Sequence, residues 1–457
     1  MHRNRVHRQR VTVNNEPHKW WHRRWVKIIG IFGIVLLVLT VIVALVLNFV
    51  VLIPRISETS TTTTISSSPL ITTISPVTSN TTLPQTTTTT TTTPLVTPTT
   101  TSPQTTATTT TQQSVWSVTG NMTNARHSHI ASVLSNGKVL VTGGLSRYSD
   151  GALNSAELYD PSTGIWTTTS NMSNARFDHT TSVLSNGKVL ATGGYDSFNV
   201  LNSAELYDPS TGTWTTISNM TNKRERHTAS VLSNGKILVT AGYNHGIVLN
   251  SAELYDPSTG TWTTTGNMTN ARYDHTASVL SNGKILVTGG TNNHGHLNSA
   301  ELYDPSTSVW TTTSNMTSAR LWHTASALSN GKVLVTGGQS RYSDDTLNST
   351  ELYDPSAGTW TTTSNMTNAR LWHTASALSN GKVLVTGGWG RSSSNTLNST
   401  ELYDPLTNTW TPTDNMNNAR IYHTASVLLN GNVLVTGGSG NGYILNSAEL
   451  YSLFGTN

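Results

Sequence analysis

The stretch NMTNARLWHTASALSNGKVLVTGG, residues 365–388, decides the fold because the chain carries it almost unchanged a second time. The same letters occupy residues 315–338, with Ser318 in the place of Asn368. Related copies follow one another at spacings of 50, 48, 48, 48, 50 and 50 residues, which indicates repeated supersecondary units that stack together. Seven tryptophans mark the period: Trp116, Trp166, Trp214, Trp262, Trp310, Trp360 and Trp410.

Each repeat carries the signals of four short antiparallel strands. HTASVL alternates in character, and SNGK contains an Asn-Gly pair, the strongest short-range signal of a hairpin. KVLVTGG is an apolar run closed by glycines, LNSAELYDP is a third strand, and TWTTT is a fourth. A sheet that is partly apolar on both faces must pack between neighbours, and seven sheets packed radially form a propeller.

The two ends of the repeat array complement each other. The array begins with a lone fourth strand, VWSVT (115–119), and ends with three strands that finish at Tyr451. We expect the N-terminal strand to complete the last blade, because an open ring would expose strand edges. The predicted fold is therefore all-β: a seven-bladed β-propeller of four-stranded antiparallel blades over residues 114–457, closed by its N-terminal strand.

The repeat resembles a known family. The letters R-x-x-H, GK(V/I)LVTGG and ELYDPSTGTW, with their diglycine, Tyr-Asp-Pro and spaced Trp, are similar to the kelch repeat over about residues 115–451. This resemblance implies a seven-bladed kelch β-propeller, which we expect to be monomeric.

The region before the repeats predicts a membrane anchor and a stalk. Residues 1–27 form a basic tail, and residues 28–53 are 26 residues without charge, long enough to span a bilayer. A cleaved signal peptide is disfavoured because the apolar stretch is too long. Residues 54–113 are rich in Thr, Ser and Pro, which is typical of a disordered, O-glycosylated stalk. The positive-inside bias predicts a single-pass type II protein of the plasma membrane or another secretory-pathway membrane, with the propeller outside.

Composition excludes several classes of function. Beyond residue 27 there are 19 basic and 22 acidic residues, so the folded part has no basic surface for nucleic acid. The chain has no cysteine, which rules out disulfides, thiolate zinc sites and cysteine nucleophiles. No catalytic residue, metal site or cofactor is predicted.

Three polar residues recur in all seven copies, and we interpret them as structural. An Arg recurs from Arg126 to Arg420, a His from His129 to His423, and a Glu from Glu157 to Glu449. The expectation is an Arg–Glu pair and a hydrogen-bonded His within each blade. The alternative, a ring of His that binds metal, is disfavoured because bonds near 2 Å cannot span a wide axis.

Positions that vary between copies are the candidate binding residues. They are the two residues before each recurring His and the loop after each diglycine, which an up-and-down sheet places on one side of the propeller. Tyr, Trp and Arg are common at contact surfaces, although neutral drift in surface loops is the alternative. The candidates are Tyr148, Tyr195, Tyr243, Trp322, Tyr342, Trp372, Trp389, Arg391, Tyr422 and Tyr443.

Sequons for N-glycosylation cluster in the repeats, as expected of an exoplasmic domain. Six lie in the NMT or NMS loops and three elsewhere. The candidates are Asn80, Asn121, Asn171, Asn219, Asn267, Asn315, Asn348, Asn365 and Asn398.

Three functions remain. The first is a membrane-tethered extracellular binding module for adhesion or for capture of a protein or glycan. The second is a carbohydrate-active enzyme, since kelch propellers include copper radical oxidases similar to galactose oxidase; that cofactor needs a Tyr–Cys cross-link, which a chain without cysteine cannot form. The third is an intracellular substrate adaptor, whose usual BTB domain is replaced here by the apolar span and the stalk.

Overall fold

The computed structural model describes residues 113–146, 151–340, 345–390 and 395–454. The basic tail, the apolar span and nearly all of the stalk, residues 1–112, lie outside these ranges, so the predictions made for them stay predictions. Within the described ranges no helix is long and apolar enough to cross a bilayer.

Seven four-stranded antiparallel sheets form the propeller, as the sequence predicted. In each, the inner strand pairs with the second, the second with the third, and the third with the outer strand. The inner strands are Ile130–Val133, Thr180–Val183, Thr228–Val231, Thr276–Val279, Thr324–Ala327, Thr374–Ala377 and Thr424–Val427. The second strands are Val139–Thr142, Val189–Thr192, Ile237–Thr240, Ile285–Thr288, Val333–Thr336, Val383–Thr386 and Val433–Thr436.

The outer half of each blade follows the same order. The third strands are Ala156–Asp160, Ala204–Asp208, Ala252–Asp256, Ala300–Asp304, Thr350–Asp354, Thr400–Asp404 and Ala448–Phe454. The outer strands are Ile165–Thr168, Thr213–Thr216, Thr261–Thr264, Val309–Thr312, Thr359–Thr362 and Thr409–Thr413, with Gln113–Val118 completing blade 7.

The hydrophobic core lies between blades rather than within them. Second strands such as Val189–Thr192 are buried along their whole length, because both sheet faces meet a neighbour. Leu190 of blade 2, for example, packs against Ile237, Val239 and Tyr255 of blade 3. A single blade therefore cannot bury its own apolar surface, which explains why the fold needs the complete ring.

The ring closes through the N-terminal strand, and this prediction is confirmed. Gln113–Val118 pairs antiparallel with Ala448–Phe454 of blade 7. Trp116 lies with its ring 5.2 Å from that of Tyr451, and its Nε1 donates a 2.8 Å hydrogen bond to the Asp414 carbonyl. The inner strands of blades 1 and 7 are also neighbours.

The two ends of the described propeller and the variable loops lie on opposite sides. Gln113 pairs with Phe454 at the end of the third strand, whereas the diglycines lie at the other end of the blade. Five further two-stranded ladders decorate the diglycine side: Tyr243–Asn244 with Ile247–Val248, Thr291–Asn292 with Gly295–His296, Arg320–Leu321 with Gln339–Ser340, Trp389–Gly390 with Asn395–Thr396, and Ser439–Gly440 with Tyr443–Ile444.

Candidate functional site

Seven residues, one before each recurring His, form a closed ring around the propeller axis. We call it the mouth ring. Each has a left-handed backbone with φ between 50° and 56°, and none is β-branched, the class that tolerates this conformation least. Backbone hydrogen bonds join five of the seven successive pairs, such as Arg226 N–H to Asp178 O at 3.0 Å and, between blades 1 and 7, Ser128 N–H to Tyr422 O at 3.0 Å. The members are Ser128, Asp178, Arg226, Asp274, Trp322, Trp372 and Tyr422.

A buried arginine two residues earlier anchors each member of the ring. In blade 5 the fully buried Arg320 pairs with Glu351 at 2.6 Å, and it also donates to the Gly337 carbonyl at 2.8 Å. The same carboxylate accepts the backbone N–H of Thr317 and Ser318. Because all seven blades repeat this pair within the blade, the Arg–Glu part of the prediction is confirmed.

The recurring histidines differ from the prediction, which placed their hydrogen bond within one blade. His227 Nε2 of blade 3 lies 2.9 Å from Thr180 Oγ1 and 3.4 Å from Thr192 Oγ1, both in blade 2. His129 of blade 1 reaches Thr436 of blade 7 at 3.0 Å in the same way. The histidine therefore bridges its own blade to the preceding one. Burial, followed by Arg224 and Arg176, lowers the pKa of His227 to about 3, so this side chain is neutral.

Aromatic side chains occupy one half of the mouth ring. The ring centroids of Trp322 and Trp372 are 4.8 Å apart, and those of Trp372 and Tyr422 are 4.7 Å apart. His127 continues the series at 5.9 Å from Tyr422. We call Trp322, Trp372 and Tyr422 the aromatic arc. All three are partly exposed, so this face of the molecule presents apolar ring surface to solvent.

Charged side chains occupy the other half. Arg226 Nε donates to Asp178 Oδ2 at 3.1 Å, and its Nη1 lies 3.7 Å from Asp274 Oδ2. The guanidinium thus spans three neighbouring blades, with its side chain 40% exposed and those of Asp178 and Asp274 22% and 11% exposed. We call Asp178, Arg226 and Asp274 the charged arc.

The pKa values of the carboxyl groups in and beside the mouth ring are raised above their usual range. Burial raises the pKa of Asp274 to about 7, although Arg226 and a hydrogen bond from Trp322 oppose this. Burial likewise raises the pKa of Asp178, and it raises the pKa of the flanking Glu225 to about 7. The pKa of Tyr422 is raised by burial and then by Asp178. The charge of Asp178 in the charged arc therefore affects the pKa of Tyr422 in the aromatic arc.

The loops after the diglycines lie directly outside the mouth ring. Tyr195 pairs with Phe177 and Trp389 pairs with Leu371, each partner being the residue just before a mouth-ring member. Tyr243 packs on Tyr273 with ring centroids 5.2 Å apart. The structure thus brings the two variable sets onto one side of the propeller. Of the other candidates, Tyr443 is 65% exposed in its hairpin, whereas Tyr148, Tyr342 and Arg391 lie outside the described residues.

The sequence-based selection of binding residues missed the charged arc. It favoured Tyr, Trp and Arg in variable positions, and it omitted Asp178, Arg226, Asp274 and Glu225. The signal was available, because these residues occupy the same two positions before the His as Trp322 and Tyr422 do. Only the ring geometry shows that they face a common opening.

The sequons divide into two structural groups. The asparagines of the NMT and NMS loops, such as Asn315 and Asn365, are exposed. By contrast, Asn348 Nδ2 donates to the Met366 carbonyl at 3.1 Å and Asn398 Nδ2 to the Met416 carbonyl at 3.0 Å. Both side chains are partly buried, and a glycan would have to replace the Nδ2 hydrogen that is not used in this bond. Asn80 lies outside the described residues.

The opposite side of the propeller is uniform. In blades 1 to 6 a lysine from the Asn-Gly hairpin pairs with the aspartate that ends the third strand, as Lys332 does with Asp354 at 3.1 Å. These side chains are solvent-exposed. In blade 7, Asn432 and Ser452 replace this pair. The repetition of one ion pair gives this side no distinctive chemistry.

Metal-ligating side chains do not converge in the described part of the chain. There, no group of three or more His, Asp or Glu is placed to hold a metal ion. The Nε2 atoms of the recurring histidines are occupied by threonine hydroxyls of the preceding blade.

Comparisons with known proteins agree with the propeller fold. The Kelch motif model matches residues 126–173 and 373–417. The chain carries kelch motifs. A model described as the Attractin/LZTR1 beta-propeller matches residues 172–392. No curated protein matches the sequence of this kelch propeller.

Solved structures share the fold. A fungal alcohol oxidase of the AA5 family, solved in complex with copper, matches with a TM-score of 0.60 and 20% identity, over 74% of this chain and 76% of the oxidase. At this identity the likeness establishes the propeller architecture alone.

Proposed function

We propose that the chain is a membrane-tethered binding module whose kelch propeller captures an extracellular protein or glycan ligand at the mouth ring. The observation that carries the proposal is a contrast within each repeat. Seven copies keep the same Arg–Glu pair and the same histidine bridge, yet the residue held between the Arg and the His differs in chemistry around the ring.

The arrangement of these differences supports binding because it gives two continuous surfaces. Three neighbouring blades supply Asp178, Arg226 and Asp274, and the next three supply Trp322, Trp372 and Tyr422. Exposed aromatic and Arg side chains next to one another are typical of the residues that dominate binding energy.

The point at which the described propeller begins is separate from the proposed binding site. Gln113 lies on the side opposite the mouth ring. The segment that precedes Gln113 is therefore joined to the propeller away from the mouth ring, as expected of a tethered module.

The copper chemistry of the structurally similar oxidase does not fit this chain. There is no cysteine for a cross-linked tyrosine, and the described residues provide no group of metal ligands. We therefore derive no catalytic step and propose binding without catalysis.

The proposal is tested by applying the purified full chain to arrays of immobilised glycans and cell-surface proteins. A double variant, Trp322→Ala with Trp372→Ala, removes most of the aromatic arc, and Lys332→Ala with Lys382→Ala is the matched control on the opposite side. We expect loss of the hits with the first variant and retention with the second. Equal binding by both variants would contradict the proposed site.

The topology is tested by protease treatment of intact cells that express the full chain. External protease should release the propeller by cutting the stalk, while an epitope at the N-terminus stays protected. Protection of the propeller together with loss of the N-terminal epitope would show that the predicted orientation is wrong.

A further inference from the structure

The mouth ring has an excess of negative charge. Among its described members and their immediate neighbours, Asp178, Glu225 and Asp274 supply three carboxyl groups and Arg226 supplies one guanidinium, which pairs with the two aspartates. The ring of His127 contacts that of Tyr422, but burial lowers the pKa of His127, so it adds no positive charge at neutral pH. When all three carboxyl groups are ionised, one guanidinium cannot neutralise them, and desolvation raises their pKa.

A second observation, the incomplete pairing of one buried carboxyl group, points the same way. The Oδ2 atom of Asp274 accepts no hydrogen bond among the described residues, and its ion-pair partner Arg226 Nη1 lies 3.7 Å away, although Trp322 donates a hydrogen bond to the same carboxyl group. Buried carboxylate oxygens normally have a partner, so each exception calls for an explanation. A positively charged group brought to the mouth ring would supply the missing compensation.

The aromatic arc lies next to this acceptor. Trp322 hydrogen-bonds the Asp274 carboxyl, and Trp372 and Tyr422 extend the ring surface from it at centroid spacings of 4.8 and 4.7 Å. Aromatic faces carry negative potential and attract cations, most strongly when the cation is an ammonium group shielded from water. Carboxylates and ring faces at one opening therefore favour the same kind of ligand.

We propose that the mouth ring binds an organic ammonium group, held between the carboxylates of the charged arc and the rings of the aromatic arc. The inference rests on the proposed function and names the chemistry of its ligand. The ammonium group belongs either to a lysine side chain of a protein partner or to a small quaternary amine. An anionic ligand is disfavoured by the three carboxylates, and a neutral sugar would leave their charge uncompensated.

The decisive experiment compares probes that differ only in charge. Choline and 3,3-dimethylbutan-1-ol have the same shape and the same hydroxyl, but only choline is a cation. Titration calorimetry of the full chain should show binding of choline and at least about tenfold weaker binding of the neutral alcohol. Equal affinities, or no binding of any cation, would overturn the proposal without any variant having to fold.

A second probe pair identifies the source of the ammonium group. Nα-acetyl-lysine methylamide and its norleucine counterpart differ by one ammonium. Preference for the lysine probe over choline would indicate a protein partner, and the reverse preference would indicate a quaternary amine; both outcomes support the ammonium site.

Variants then locate the site. Asp274→Asn keeps the shape of the side chain and removes its charge, so choline affinity should fall by about tenfold or more. Asp304→Asn, in an exposed ion pair with Lys284 on the opposite side, is the matched control and should bind choline as the wild type does. An unchanged affinity in Asp274→Asn would overturn the assignment.

The pH profile gives a readout that a purely structural role would not produce. Since the pKa of Asp274 and of Glu225 is about 7, both carboxyls are largely protonated near pH 5.5 and ionised near pH 8.5. Choline affinity should therefore rise across this range, and a flat profile would contradict the proposal. If the array screen finds a ligand that Trp322→Ala with Trp372→Ala abolishes, yet no cation binds, the ammonium inference fails while the binding function stands.

Discussion

Each blade has a buried frame, which consists of the recurring Arg, its Glu partner and the recurring His. The mouth-ring residue lies between the Arg and the His, yet the frame is the same in every copy and the mouth-ring residue varies. Arg320 and His323 are buried and identical in all seven copies, whereas Trp322 between them has a different counterpart in most other blades. The frame can be repeated because each blade meets the same neighbours. The mouth ring can vary because its side chains lie outside the four-stranded sheets and contact one another and flanking residues such as His127, so changes there do not disturb the packing between blades.

Removing a residue of the buried frame should lower the free energy of unfolding more than any other change considered. Glu351→Ala removes the carboxylate that pairs with the fully buried Arg320 and leaves that charge uncompensated, which should lower the free energy of unfolding by about 3–5 kcal/mol. Trp322→Ala in the same blade should cost less than half as much, because its ring is partly exposed. Denaturant unfolding of both variants checks the contrast, and equal costs would remove the distinction between frame and mouth.

A smaller effect should come from the protonation of Asp274. Its pKa is raised from 3.8 to about 7 in the folded protein, so the favourable contribution of the protonated form is lost as pH rises through this window. Unfolding free energy should fall between about pH 4 and pH 8 by on the order of 2 kcal/mol from this group. Asp274→Asn should flatten the curve. The unfolding midpoint measured across pH tests this, and parallel curves for both proteins would contradict it.

The two groups of sequons give the next contrast. Asn348→Ala loses the 3.1 Å bond to the Met366 carbonyl and should cost about 1 kcal/mol, whereas Asn365→Ala at an exposed position should cost nothing measurable. When the full chain is made in secretory cells, glycopeptide mass spectrometry should find Asn365 occupied and Asn348 unoccupied. A glycan on Asn348 would contradict the expectation that its partial burial and its hydrogen bond restrict access to the amide nitrogen.

The smallest effect is expected on the uniform side of the propeller. Lys332→Ala removes an ion pair with Asp354 whose lysine side chain is 41% exposed, and exposed pairs contribute about 0–1 kcal/mol. Unfolding should change by less than about 0.5 kcal/mol and should lose any difference at high salt. A cost comparable to that of Glu351→Ala would mean that this side also belongs to the frame.

The sequence pattern predicted the architecture well because the number and spacing of the repeats can be counted directly in the sequence. The blade count, the four strands and the closure by the N-terminal strand are confirmed, with the strand predicted at 115–119 lying at Gln113–Val118. The prediction was wrong for the histidines, whose partners Thr180 and Thr436 belong to the preceding blade. Sequence spacing cannot distinguish a contact within a blade from the same contact one repeat away, because both partners recur with the same period.

The sequence by itself determined that seven equivalent sheets exist and that they close into a ring, since period, turn residues and apolar alternation are local properties of the chain. Only the tertiary structure decided that Asp178, Arg226, Asp274, Trp322, Trp372 and Tyr422 share one opening, although they are spread over some 250 residues. The physical reason is the ring closure. Successive repeats lie side by side around one axis, so the same position of each repeat is brought to the same mouth.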